Sequence, residues 1–317
     1  MNLGTATVIR ANARSLPLAD DSVDLVVTSP PYFALRSYQD GGEHYAGQIG
    51  EEPTPAEFVD SLLEVTAECV RVLKPSGSLW VNLGDKYSGY NTNGGRGRSL
   101  GAARSAQRVP DYGDERGPEG YGVPNKSLMG IPWRYALACI DDLGLILRAE
   151  IIWSKPNGLP ESVTDRVRRS HEQWFHFTLE PRYFSAVDEI REATTRGGLT
   201  WEQRKAGAGR EKNPDTGHNY GGPGMAANPL GKLPGSVWTV ATEPLRVPEH
   251  LGIDHFAAFP TEWPKRIIQG WSPECGTVLD PFGGTGTTAM VAKALGRHGI
   301  SVDMSGDYCR LAEWRTN

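Results

Sequence analysis

The sequence predicts an α/β fold in which a mainly parallel sheet carries helices on both faces. Three observations predict it. Short, continuous apolar runs end abruptly in Pro- or Gly-rich loops, and helix-period segments alternate with those runs. Two long Gly- and Arg-rich stretches then interrupt the alternation without adding apolar periodicity of their own.

The elements follow in order. Val23–Thr28 (VDLVVT) reads as a buried strand that runs straight into Ser29-Pro-Pro. Pro55 to Leu73 has helical spacing, and the turn Lys74-Pro-Ser-Gly leads from it into the strand Ser78–Leu83 (SLWVNL). Leu147–Ser154 and Gln173–Thr178 form a pair of strands joined by a polar, Pro-containing connection, which predicts one antiparallel hairpin strand. Thr277–Leu279 is a short strand ending at Asp280-Pro-Phe-Gly-Gly-Thr-Gly; the helix Thr287–Leu295 and the strand His298–Asp303 follow. The interruptions are Ser88–Lys126 and Thr195–Val247, and insertions this long inside a compact domain are usually functional or disordered. No internal repeat is visible, so residues 1–317 are expected to form a single domain.

Composition sets outer bounds. Hydrophobic residues at 38% and charged residues at 22% describe an ordinary globular chain. No run approaches the roughly 20 apolar residues of a membrane helix, and Met1–Ala11 lacks the pattern of a signal peptide, which predicts a cytoplasmic protein. Cys69, Cys139, Cys275 and Cys309 are far apart and are read as reduced thiols, not a disulfide or zinc framework. The net charge of −5 does not announce a nucleic-acid partner, yet binding needs only a local basic face. Basic residues do cluster: Arg96, Arg98, Arg104 and Arg108; Arg166, Arg168 and Arg169; and Arg204, Lys205, Arg210 and Lys212.

Two constellations carry chemistry. In VLDPFGGTGTTAMVAKALGRHGISVD (Val278–Asp303), a glycine loop turns a strand into a helix, and Asp303 ends the next strand. Gly283, Gly284 and Gly286 allow the sharp turn and the close approach of a ligand, while an acidic group at that distance suits both hydroxyls of a ribose. The loop lacks the Lys of a phosphate-binding loop, and Asp280 disfavours phosphate, so a nucleoside with a positive amino group or sulfonium fits better. The bland alternative is a purely structural strand-to-helix turn. The second constellation is Thr28-Ser29-Pro30-Pro31-Tyr32. Its prolines fix the backbone and remove two N–H donors, so carbonyl oxygens, the Ser29 hydroxyl and the flat face of Tyr32 are presented together. Such a set suits a base flipped out of its stack, with acceptors for an exocyclic amine and a ring to replace lost stacking. A Pro-rich strand end with an incidental Tyr is the alternative. Both loops leave the carboxyl ends of strands, where ligands of open α/β sheets bind.

These blocks, in this order, resemble the amino-group DNA methyltransferases of the β arrangement, in which the catalytic motif precedes the cofactor motif. RVLKPSGSLWVNLGD (Arg71–Asp85), IIWSKPNGLPESVTDRVRRSHEQWFHF (Ile151–Phe177) and HFAAFPTEWPKRIIQGWSP (His255–Pro273) are similar to further blocks of the same enzymes. The resemblance implies a Rossmann-like S-adenosylmethionine-dependent sheet, no metal, and base flipping with direct transfer to an amine of double-stranded DNA. It implies catalytic roles for Ser29, Pro30, Pro31 and Tyr32. It implies cofactor contacts from Asp280, Phe282, Gly283, Gly284, Thr285, Gly286, Thr287, Thr288, Asp303, Phe259 and Pro260. Val8–Leu16 resembles the strand that reaches the adenine, with Asn12 where Asp is commoner. Residues 195–247 would be a short target-recognition region and 88–126 a mobile loop that orders over DNA. Arg166, Arg168, Arg169, His171, Arg96 and Arg98 are expected at the DNA. Ser in the first position of the SPPY motif resembles N4-cytosine enzymes, with N6-adenine as the alternative; the order of the motifs disfavours protein or RNA amine substrates. No Pro-Cys pair supports cytosine C5 chemistry. A non-catalytic DNA-binding protein is a rival, but both motifs are intact. A separately acting restriction endonuclease fits the resemblance, and monomer or homodimer is left open.

Overall fold

The computed structural model describes residues 4–34, 39–40, 43–44, 47–88, 122–124, 126–158, 160–193, 230–245, 247 and 259–317. Its main sheet is built from β1 (Thr5–Arg10), β2 (Val23–Thr28), β5 (Leu73–Leu83), β6 (Ile146–Ser154), β7 (His171–Thr178), β8 (Val237–Thr239), β9 (Thr277–Asp280) and β10 (His298–Asp303). The order across the sheet is β1-β10-β9-β2-β5-β7-β6-β8. Within it only β7 runs antiparallel to its neighbours, β5 and β6, as the sequence predicts. A two-residue ladder, β3 (Gln39–Asp40) with β4 (Glu43–His44), stands apart.

Alternation along the strands sends side chains to two cores. Val26, Leu79, Val81, Phe175, Phe177 and Leu279 face α1 (Pro55–Val72) and α2 (Ile131–Asp141). Leu25, Val27, Trp80, Trp174 and Val278 face α3 (Glu262–Trp271) and α4 (Thr287–Ala294). The second core is dominated by indoles. Trp263 stacks at 5.0 Å on both Trp174 and Trp238, and such pairs add to their area burial. The α1 helix starts where Thr54 accepts from the Glu57 amide at 3.2 Å, with Pro55 in its first turn. The last helix, α5 (Gly306–Thr316), is capped by Ser305, whose hydroxyl accepts from Tyr308 N.

Three expectations need correction. The segment Val8–Leu16 is a strand only to Arg10: the Asn12 carboxamide accepts from Arg14 N at 3.0 Å and turns the chain. The Lys74–Gly77 turn is instead continuous with β5, bulged where Lys74 forms an ion pair with Asp24 at 2.7 Å. The stretch 195–247, expected to be free of core elements, contains β8, which pairs parallel with β6 and buries Trp238. Tyr87 and Leu128 form an antiparallel bridge at the base of the 88–126 insertion. Residues 89–121 and 194–229, with Arg96 and Arg98 and most of both insertions, lie outside the described residues.

Candidate active site

β2 and β9 are parallel neighbours, with Leu25 opposite Val278 and Val26 opposite Leu279, so the two motifs leave the same edge of the sheet side by side. A buried network joins them. The Thr28 hydroxyl donates to Asp280 Oδ1 at 2.7 Å, Phe282 N donates to the same oxygen at 3.2 Å, and Thr288 Oγ1 donates to Oδ2 at 2.8 Å. Asp280 is 1% exposed, and burial pushes its carboxyl up to about 6 against the lowering effect of those three bonds. The aspartate expected to face a cofactor thus turns inward and ties the Ser29–Tyr32 turn to the glycine loop. Thr285 and Thr287 face inward as well: Arg315 Nη1 donates to both hydroxyls at 2.7 Å and to the Thr285 carbonyl at 3.0 Å.

What the loop leaves open is narrower. A Cβ on Gly283 would lie 1.9 Å from Ser301 Oγ, so only glycine lets the loop close onto β10, where Gly283 N donates to Val302 O at 2.8 Å. Gly284 has a left-handed φ of +47°, and a Cβ there would meet only the Phe282 carbonyl, at 3.9 Å; the space above it is free. Its amide donates to Asp303 Oδ2 at 2.9 Å, and Ser305 N donates to Oδ1 at 2.9 Å. Burial raises Asp303 to about 6, and each of its oxygens keeps a lone pair for a further donor. Gly286 is the residue from which α4 starts. Asn12, exposed, follows the β1 end that pairs with Asp303, through Ala11 N to Asp303 O at 3.0 Å. Phe282 and Pro30 line a cavity of about 10 Å³, room for one water at most. Phe259 packs its edge on Trp174 at 5.8 Å, in the second core, with Pro260 buried beside it.

The Ser29–Tyr32 turn is held by residues that motif reading missed. Ser29 Oγ donates to Asn82 Oδ1 at 3.3 Å, and the single proton of the Tyr32 hydroxyl is shared between two acceptors, Glu172 Oε2 at 2.7 Å and Asn82 Oδ1 at 2.9 Å. Asn82 Nδ2 donates to the Gln173 carbonyl at 3.1 Å, which fixes which end of the amide faces Ser29. With its proton directed at Asn82, the Ser29 hydroxyl keeps its lone pairs for an incoming donor. An asparagine in the apolar run SLWVNL was a readable signal, because a buried amide demands partners. Glu172 and Arg315 gave none: their partners depend on the β5–β7 pairing and on the docking of α5.

The basic hairpin connection is built internally. Arg166 pairs with Glu161 at 2.7 Å and lies 3.7 Å over the Tyr87 ring; Arg169 is 3.7 Å from Asp85 and donates to Gln173. Arg168 is exposed and donates to the Gly158 carbonyl at 3.1 Å. His171, lowered by burial and by Arg169, is held toward its neutral form. The four cysteines form no disulfide, and burial pushes Cys139 up to about 12 and Cys309 to about 11. Among the described residues no His/Cys/Asp/Glu group could hold a metal ion, and no helix is long and apolar enough to cross a membrane.

Comparison with known proteins identifies the family and the fold. A family described as DNA methylase matches residues 23–313. The chain is 34% identical to the type II methyltransferase M.SmaI of Serratia marcescens over 99% of its own length and 91% of that protein. Among solved structures, the PvuII DNA methyltransferase (cytosine-N4-specific) superposes with a TM-score of 0.64 at 19% identity, covering all of this chain and 88% of the other. A Thermus thermophilus protein, a putative DNA modification methylase in complex with S-adenosyl-L-methionine, superposes with a TM-score of 0.55 at 22% identity, covering 99% of this chain and 93% of the other. The fold is therefore the Rossmann-like one of these methyltransferases.

Proposed function

The chain belongs to the DNA methylase family, whose members modify cytosine N4 or adenine N6, and from that premise we propose that it methylates cytosine N4 in double-stranded DNA. The observation that supports cytosine over adenine is serine in the first position of the SPPY motif; the Ser29 hydroxyl, donating to the neutral Asn82 amide, offers acceptor lone pairs that an exocyclic amine of either base could use. Ser29 Oγ and the Pro30 carbonyl accept the hydrogens of the amine, which aims the nitrogen lone pair away from the ring plane. Pro31 keeps the turn rigid, and Tyr32 stacks on the extruded base. The cytosine-N4-specific protein of the comparison shares only the fold, so the choice of base rests on the serine of the motif, with adenine N6 as the alternative.

The residues fit S-adenosylmethionine. The uncrowded face of Gly284 would allow close approach of a ligand, Asp303 keeps acceptors for ribose hydroxyls, and Asn12 follows the strand end that pairs with Asp303. When bound, the cofactor supplies a sulfonium-activated methyl group, so no protein nucleophile is needed. Asp280, Thr285, Thr287 and Thr288 shape the loop from within. Positioning and electrostatics supply the catalysis. The type II relative favours a role beside a restriction endonuclease that acts separately, and residues 1–317 act as one domain in this reading.

The assignment is tested by incubating the protein with S-adenosylmethionine and mixed-sequence double-stranded DNA, digesting to nucleosides and identifying the product by mass spectrometry. N4-methylcytosine is expected; N6-methyladenine would reverse the choice of base, and no methylated base in DNA of broad sequence coverage would overturn the reading.

At the DNA, Arg168 is the guanidinium on the hairpin connection best placed for a phosphate, since Arg166 and Arg169 are held by carboxylates. Arg168→Glu is expected to weaken DNA binding and lower the slope of log affinity against log salt by about one. An unchanged slope in a fluorescence-anisotropy titration would remove Arg168 from the interface.

A further inference from the structure

Tyr32 is held more closely than a stacking ring requires. Its hydroxyl meets Glu172 Oε2 at 2.7 Å and Asn82 Oδ1 at 2.9 Å. Its ring lies where a side chain on Gly84 would be: a Cβ there would sit 2.7 Å from Tyr32 Cε2. Glu172 in turn forms an ion pair with Lys155, both groups largely buried, and the Lys155 ammonium lies 4.1 Å from the Trp153 ring centre. Trp153 packs on Trp263 of the second core. Lys155 N also donates to the Ser170 carbonyl at 2.9 Å, closing the base of the basic connection.

We propose that Glu172, paired with Lys155, is a positioning residue that fixes the Tyr32 ring at the angle needed to receive the extruded base. The inference rests on the reading that Tyr32 stacks on that base. A tyrosine ring anchored only through Cβ turns about two side-chain bonds; an acceptor at its far end, with backbone beneath it, removes that freedom before DNA arrives. A lone carboxylate beside the entering base would be costly to bury and would repel nearby phosphates. Lys155 removes that cost by balancing the charge, and the cation sits on an indole instead of in water. Because the same lysine closes the connection that carries Arg168, the orientation of the ring and the geometry of that connection share one anchor.

The test is a double-mutant cycle on kcat/KM for DNA with Glu172→Ala and Tyr32→Phe. Loss of the orienting bond is expected to lower kcat/KM by about 10-fold or more, mostly in kcat, because misaimed stacking misplaces the amine. In the Tyr32→Phe background, Glu172→Ala is expected to add less than about twofold, since the bond is already gone. Glu172→Gln keeps an acceptor oxygen and is expected to restore most of the rate. The dissociation constant for S-adenosylmethionine should be the same in every variant. A 19F resonance from fluorotyrosine at position 32 should shift or broaden in Glu172→Ala and recover in Glu172→Gln, a readout that needs no turnover. An unchanged resonance, additive losses in the cycle, or cofactor affinity falling with rate would each overturn the proposal. Product formation by the unaltered protein in the same assay tests the underlying reading separately.

Discussion

Replacing Asp303 with Ala is expected to weaken S-adenosylmethionine binding about 100-fold or more while leaving the protein folded. In the proposed cofactor site this carboxylate, beside Gly284, would accept from the ribose hydroxyls, and two charge-assisted hydrogen bonds lost from a half-buried site are worth about 3 kcal/mol or more. The same side chain also accepts from Gly284 N and Ser305 N, so a modest fall in thermal stability should accompany the loss. The binding should depend on pH in a defined direction. Burial raises the Asp303 carboxyl to about 6, and only the ionised form accepts from both hydroxyls, so affinity should fall as the pH drops through about 6. The stability of the unliganded protein should respond in the opposite sense. Asp303 and Asp280 are each raised from 3.8 to about 6 in the folded state, so the folded chain takes up protons the unfolded chain releases. Their contribution is present below pH of about 4 and is lost as the pH rises through about 6. Calorimetric titration between pH 5 and 8 checks the first trend. Binding by Asp303→Ala within threefold of the unaltered protein would remove Asp303 from the cofactor site.

Asp280→Ala should be the most damaging single change for stability and rate together. It leaves the Thr28 hydroxyl and the Phe282 amide without their acceptor in a buried site, and leaves the Thr288 hydroxyl only the Val27 carbonyl at 3.4 Å. Each orphaned donor costs about 1–3 kcal/mol, which puts the loss near 3 kcal/mol or higher. Thr28 immediately precedes Ser29, and a displacement of about 1 Å at a reacting group costs about 100-fold in rate, so activity should fall at least that far. Asp280→Asn should be milder, because it keeps one acceptor and the side-chain volume. A urea midpoint shift equivalent to less than about 1 kcal/mol for Asp280→Ala would show that the network is not a structural clamp.

Much of this was legible in the sequence, for physical reasons that can be named. β2 read to the residue because a buried parallel strand is a nearly continuous apolar run with an abrupt end, and β10 because it follows the helix after the glycine loop and ends on Asp303. The glycine loop and the SPPY turn were legible because backbone chemistry restricts which residues such turns accept. The α2 helix was not, because its apolar residues surround it: Tyr135 and Cys139 are buried while Trp133 and Leu137 are exposed, so no single face stands out. The three residues of β8 are too few to display a period, and only Trp238 is buried. The inward orientation of Asp280 was invisible for a different reason. Its partner Thr28 lies 252 residues away, and no local pattern reports a contact that tertiary pairing creates.

That separation governs how the protein is made. During synthesis the Ser29–Tyr32 turn emerges early, but β9, the strand that flanks β2, follows about 250 residues later. At about 5–20 residues per second, the ribosome leaves β2 without that neighbour for about 12 to 50 s. Throughout that interval an apolar strand edge is open to aggregation or to a chaperone. Closing so long a loop adds only about 0.6 kcal/mol per doubling of its length, so the delay bears on yield far more than on final stability. Expression at reduced temperature, or with added chaperones, should therefore raise the soluble fraction without changing the specific activity of the folded enzyme.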